Sequence, residues 1–212
     1  MPEPTLDPRM APLLAALEQT DKGVVRRAVE ELVALAAEEP GVAEALDRRL
    51  SAAPRWPVAY ALGQVARPST LCLDVLAHGL GSGDQDLRWA TQLLLTDLGK
   101  RYPEVEARLQ SLLRDGSPTQ RRMTVYCLRD VHEGRDAGAA DIGLASAFLE
   151  AMRDPEPLVR VAVVTSLAKA TEVNAETLDA LTRAAKDDPD ARVRNAAAFA
   201  VKKLAGVRTK TP

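Results

Sequence analysis

Two stretches of this 212-residue chain repeat one phrase: "DPEPLVRVAVVTSLAKA" at residues 154–170 and "DPDARVRNAAAFAVKKL" at residues 188–204. Each opens on Asp-Pro, carries a Val-Arg dyad five and six places after the Asp, and continues with apolar residues at helical spacing. Such recurrence constrains a fold strongly, because units repeated at a near-constant step must stack on one another to bury their apolar faces. With the dyad as a ruler, related pairs stand at Val25-Arg26, Val58-Ala59, Leu87-Arg88, Gln120-Arg121, Val159-Arg160 and Val193-Arg194. The steps between them are 33, 29, 33, 39 and 34 residues.

After each dyad, small or apolar residues return at the period of an amphipathic helix, B; Val163, Leu167 and Ala170 are one such stripe. Ahead of each B helix lies a second helical segment, A, for example "PEVEARLQSLLRDG" and "AETLDALTRAAKDD". Between A and B stand breakers such as Pro54, Gly116-Ser117-Pro118, Pro155 with Pro157, and Pro189. They fit a turn or a first helical position and stop A from running into B. Apolar content is 46% but aromatics only 3%, and the Ala, Leu and Val that dominate suit packed helices better than a sheet. The expected fold is all-α: an α-solenoid of about six antiparallel helix pairs in a single domain over 1–212. Its units are read at about 8–38, 40–66, 68–100, 102–132, 140–171 and 174–206. The longest step contains "HEGRDAGAADIG", read as a longer loop over 132–143 and the best candidate for local mobility.

The phrase D-P-x-x-x-V-R-x-x-A followed by helical apolar residues resembles the HEAT repeat, in particular the short bacterial HEAT-like type found in phycobilin lyases. The resemblance covers nearly the whole chain; it is strong in units five and six and poor in unit two, where Ala59 stands in the place of the arginine. It implies that the Asp and the dyad Arg bond between neighbouring units. That assigns Asp154, Arg160, Asp188 and Arg194 to a structural ladder. It also implies that the B helices line a concave face. The positions two, six and nine after the first dyad residue would then line that concave face. They hold Arg27, Tyr60, Trp89, Arg122, Val161 and Asn195; Glu31, Gln64, Leu93, Tyr126, Thr165 and Phe199; and Ala34, Arg67, Thr96, Arg129, Ala168 and Lys202. Only Glu31 is acidic among these eighteen. Tyr60, Trp89 and Tyr126, set beside Arg27, Arg67, Arg122 and Arg129, are the candidate binding residues, because aromatic and arginine side chains dominate binding hot spots. Trp56, beside Pro57, reads instead as a packing anchor.

No catalytic residue emerges. His78 and His132 are the two histidines, and neither shares a chelating face with Cys72 or Cys127, so no metal and no cofactor is expected. Both cysteines lie in apolar helical stretches and read as buried thiols. The net charge of −2 gives no global attraction for nucleic acid or an anionic membrane. The N-terminal stretch has no long apolar run, which argues against a signal peptide or membrane span and for the cytoplasm. The expected function is non-enzymatic: a scaffold that binds a segment of another protein, with an acidic segment as one fit. Alternatives are nucleic-acid binding, as in the HEAT-like alkylpurine DNA glycosylases, or a bilin-lyase-like role. The run "VKKLAGVRTKTP" is read as leaving the last helix in a basic tail.

Overall fold

The computed structural model describes residues 7–133, 139–170 and 173–208. Over these residues the chain forms twelve α-helices and no strand. They are α1 (Met10–Ala16), α2 (Lys22–Ala36), α3 (Gly41–Ala52), α4 (Trp56–Val65), α5 (Thr70–Gly79), α6 (Gln85–Arg101), α7 (Pro103–Asp115), α8 (Pro118–His132), α9 (Ala139–Ala151), α10 (Pro157–Leu167), α11 (Ala175–Asp187) and α12 (Ala191–Arg208). Odd-numbered helices are the A segments and even-numbered helices the B segments, six pairs in all. The breakers act as their chemistry dictates. Pro57, Pro103, Pro118 and Pro157 each occupy the first two positions of a helix, where a missing N–H costs nothing. Asp21, Ser69, Ser117 and Asn174 accept first-turn amides as N-caps, and Ser117 with Gln120 forms a reciprocal capping box.

The chain divides into two compact units, Met1–Leu98 and Gly99–Pro212. In the first, α2 packs on α4 and α3 on α5, so successive B helices and successive A helices form two layers. The second repeats the scheme: α8 packs on α10 and α10 on α12, while α9 touches both α7 and α11. The layers meet over leucines and valines. Leu32, Leu46, Leu50 and Leu76 are fully buried in the first unit; Leu128, Val163 and Leu181 are fully buried in the second. Removing such side chains from water is what makes stacking favourable, at about 1.5–3 kcal/mol each.

Two boundaries differ from the sequence reading. Of the loop expected over 132–143, His132 closes α8 and Ala139 already opens α9. The "AADIG" part is helical, an isolated glycine being tolerated among good helix formers; residues 134–138 lie outside the described residues. At the other end α12 continues through Arg208, so most of the expected basic tail is helix, and 209–212 lie outside the described residues.

Candidate binding surface

All six dyads fall in the first turn or so of a B helix, so a dyad arginine can fold back over the turn that precedes its own helix. Four of them do so. Arg88 donates from Nη1 to the Ser82 carbonyl at 2.5 Å, Arg121 to that of Gly116 at 2.7 Å, Arg160 to that of Asp154 at 2.7 Å and Arg194 to that of Asp188 at 2.6 Å. Anchored in this way, the guanidinium turns its other edge toward the next repeat. Arg121 donates from Nε and Nη2 to the two carboxylate oxygens of Asp154 at 2.6 and 2.8 Å. Arg160 grips Asp188 in the same fork, both bonds at 2.8 Å. Each rung is thus an inter-repeat bond, in which one unit's arginine holds the next unit's aspartate. The first rung is made by Arg121, a residue the sequence reading did not assign to the ladder. The second carboxylate role is local: Asp154 and Asp188 also accept the amides of Glu156 and Asp190, two residues on, which fixes the turn into the following helix. Burial pushes the Asp188 carboxyl up, but the Arg160 guanidinium and the Asp190 amide outweigh it and hold the group below the usual carboxylate range.

The irregular second repeat is tied differently. Trp56 stacks on Tyr60 with centroids 4.6 Å apart, and its indole N–H donates to Thr91 Oγ1 on α6 at 2.8 Å. The ring lies against Gly79 of α5, where a Cβ would come within 2.8 Å of Trp56 Cδ1 and 2.9 Å of its Nε1. Gly79 is therefore a notch for the indole. Tyr60 is half-buried under this stack, and burial pushes its phenol up.

The outward faces of the B helices carry the remaining candidates. In the first unit Arg27 and Glu31 are exposed on α2, Gln64 on α4, Arg67 two residues beyond its end, and Trp89 and Leu93 on α6. The last two stand one turn apart and are 46% and 66% exposed. In the second unit Arg122, Tyr126 and Arg129 share one stripe of α8 and are partly exposed. The Arg129 guanidinium lies 5.3 Å from the centre of the Tyr126 ring and donates from Nε to Asp130 at 2.6 Å. Asn195, Phe199 and Lys202 are exposed on α12. Two positions of the eighteen are buried instead: Thr96 bonds with buried Gln92, and Ala168 is buried at the end of α10.

Other chemistry-bearing groups are occupied within the core. The Cys72 thiol donates to the Ala59 carbonyl at 3.3 Å, and burial pushes its pKa up to about 12; Cys127 is buried and in no disulfide. His132 is buried with Nε2 2.8 Å from Glu106 Oε1 of α7. Sequence spacing could not show this pair, since its members lie on different helices 26 residues apart. Among the described residues no three His, Cys, Asp or Glu side chains converge as a metal site, and no helix is long and apolar enough to cross a membrane.

Residues 138–202 match the HEAT repeats family, over the last two helix pairs where the duplicated phrase stands. No curated protein matches the sequence. Among solved structures, Cex1p is similar over 96% of this chain, at 18% identity and a TM-score of 0.59, and the chain spans 44% of Cex1p. A designed armadillo repeat protein in complex with the peptide (KR)4 is similar over 91% of this chain and 98% of its own length, at 14% identity and a TM-score of 0.49. The chain is therefore similar to HEAT-repeat proteins in sequence over 138–202, and its fold is that of the helical-repeat, solenoid class.

Proposed function

We propose that the chain is a non-enzymatic scaffold that holds a segment of another protein against the outward faces of its B helices. The carrying observation is the pair Trp89 and Leu93, two large apolar side chains presented to solvent one turn apart on α6. Scattered exposed leucines need no explanation, but a tryptophan beside one offers a large, stiff contact area of the kind that dominates interfaces. Arg27 and Arg67 are further exposed cations of the first unit. Tyr126, with Arg122 and Arg129, supplies a second aromatic and cationic stripe in the other unit. Cations outnumber acids on these faces, which favours an acidic partner segment over a basic one. The role requires no covalent step: the helices hold the anchors in fixed positions and binding selects a complementary segment.

The test is affinity capture with the full chain, compared with Trp89→Ala and Tyr126→Ala. The expected result is a retained protein whose affinity falls about tenfold or more with Trp89→Ala while the far-UV dichroism of the variant matches the parent. DNA or RNA binding that weakens steeply with salt and disappears with charge reversal at Arg122 and Arg129 would instead make this a nucleic-acid surface. Uptake of a tetrapyrrole with its absorption band would make it a pigment-binding protein.

A further inference from the structure

The ladder that joins repeats in the second unit has one rung whose arginine is in place and whose acid is not. Arg160 is fixed by Nη1 bonds to the carbonyls of Asp154 and Pro155 at 2.7 and 3.4 Å, which leaves Nε and Nη2 to grip Asp188. Arg194, 34 residues on, is fixed in the same manner, by Nη1 bonds to the carbonyls of Asp188 and Pro189 at 2.6 and 3.1 Å. Its Nε and Nη2, however, meet no acceptor among the described residues. The residue is partly exposed where Arg160 is buried. The fork is preorganised, and Arg121 and Arg160 show what such a fork binds: the two oxygens of one aspartate, itself turned back on the amide two residues ahead.

The surroundings of Arg194 narrow the occupant. Val164 on α10 and Ala168 just after its end are buried, whereas the residues at the same phase of α12, Ala198 and Lys202, are exposed. A further repeat stacked there would have to bury the Lys202 ammonium without a partner, which is costly. A slender segment would cross the small Ala198 and leave Lys202 at its rim. Helix α12 itself, "ARVRNAAAFAVKKLAGVR", contains five cations and no acid. We propose that Arg194 is an aspartate-binding site for an acidic segment of a protein partner, a segment that takes the place the following repeat's Asp takes in the ladder. The site needs none of the B-face anchors, so it stands or falls separately from the scaffold reading.

The probe is a blocked peptide Asp-Pro-Asp-Ala, the sequence of residues 188–191 that Arg160 already holds, titrated into the full chain with its arginines labelled by ¹⁵N. The expected result is a saturable shift of the Arg194 Nε–H resonance with a dissociation constant in roughly the millimolar range. A fluorescent form of the peptide should bind at least about fivefold more weakly to Arg194→Lys, which keeps the charge but removes the fork, and the same loss should follow replacement of the first Asp by Asn. No saturable shift, or binding to Arg194→Lys and Arg194→Gln as tight as to the parent, overturns the site. A resonance already shifted in peptide-free protein that reverts on dilution would show a second copy in the fork and overturn the partner-segment assignment.

Discussion

The two units solve one problem, how a repeat holds its successor, with opposite chemistry. In the second, Arg121 and Arg160 reach forward to Asp154 and Asp188 in bidentate forks whose side chains are 13% or less exposed. In the first, the second repeat has Ala59 where its arginine would stand, and Trp56 enters a notch made by Gly79 and bonds Thr91. Asp84, which opens α6 as Asp154 opens the turn before α10, finds a cation all the same. Lys22 of the first repeat reaches it at 2.7 Å, but at an exposed site where such a pair adds little. A charged fork fixes direction and register but must recover the cost of drying two charges; an indole in a notch gains from contact area and depends on shape. The lesson is that a repeat array can lose its ladder residue where a shape lock replaces it.

Breaking the fork should have the larger effect. Arg160→Ala leaves Asp188 ionised and buried with only the Asp190 amide beside it, and is expected to cost about 3–4 kcal/mol. Amide exchange should quicken along α10 and α12, while tryptophan emission, which arises from the first unit alone, should hold. Replacing both partners, Arg160→Met with Asp188→Leu, should recover most of the loss, since the pair's cost of burial goes with it. If the single variant melts like the parent, the rung contributes nothing and the comparison collapses. The notch gives a smaller figure. Gly79→Ala forces the indole to move, and overpacking of this kind costs about 1–3 kcal/mol. The same change in a Trp56→Leu background should cost clearly less, a coupling that thermal melts of the four proteins would measure.

Much of the fold is legible in the sequence. Helix phase is a local property, so the dyad spacing suffices for twelve helices in pairs. The partner of each ladder residue was harder. Asp154 and Arg160 could be linked to the ladder because their phrase resembles a known repeat, but Arg121 follows Ser-Pro rather than Asp-Pro, and its link to Asp154 depends on how far α8 is rotated against α10. Trp56 was readable as an anchor from its neighbours, while Gly79, 23 positions later, was not, because a notch is visible only when two helices are brought together. Thr96 and Ala168 are buried, whereas Arg129 and Lys202, at the same phase of α8 and α12, are not: burial there depends on what packs against each helix, which helix phase does not show.

Acid offers the gentlest separation of the two locks. The Asp188 carboxyl titrates below its usual value in the folded chain, so the folded state binds protons less readily there than the unfolded chain does. The stabilisation from Arg160 is accordingly complete above the unfolded value, about pH 4, and is lost as pH falls through the lower folded value. Trp56, Thr91 and Gly79 carry no group that titrates in that window. Between about pH 5 and pH 3, exchange protection along α10 and α12 should therefore decline more in the parent than in Asp188→Asn, whose weaker rung has no carboxylate left to protonate. Parallel declines in the two proteins would mean that other acids govern the second unit at low pH and that the fork's charge is a minor part of its hold.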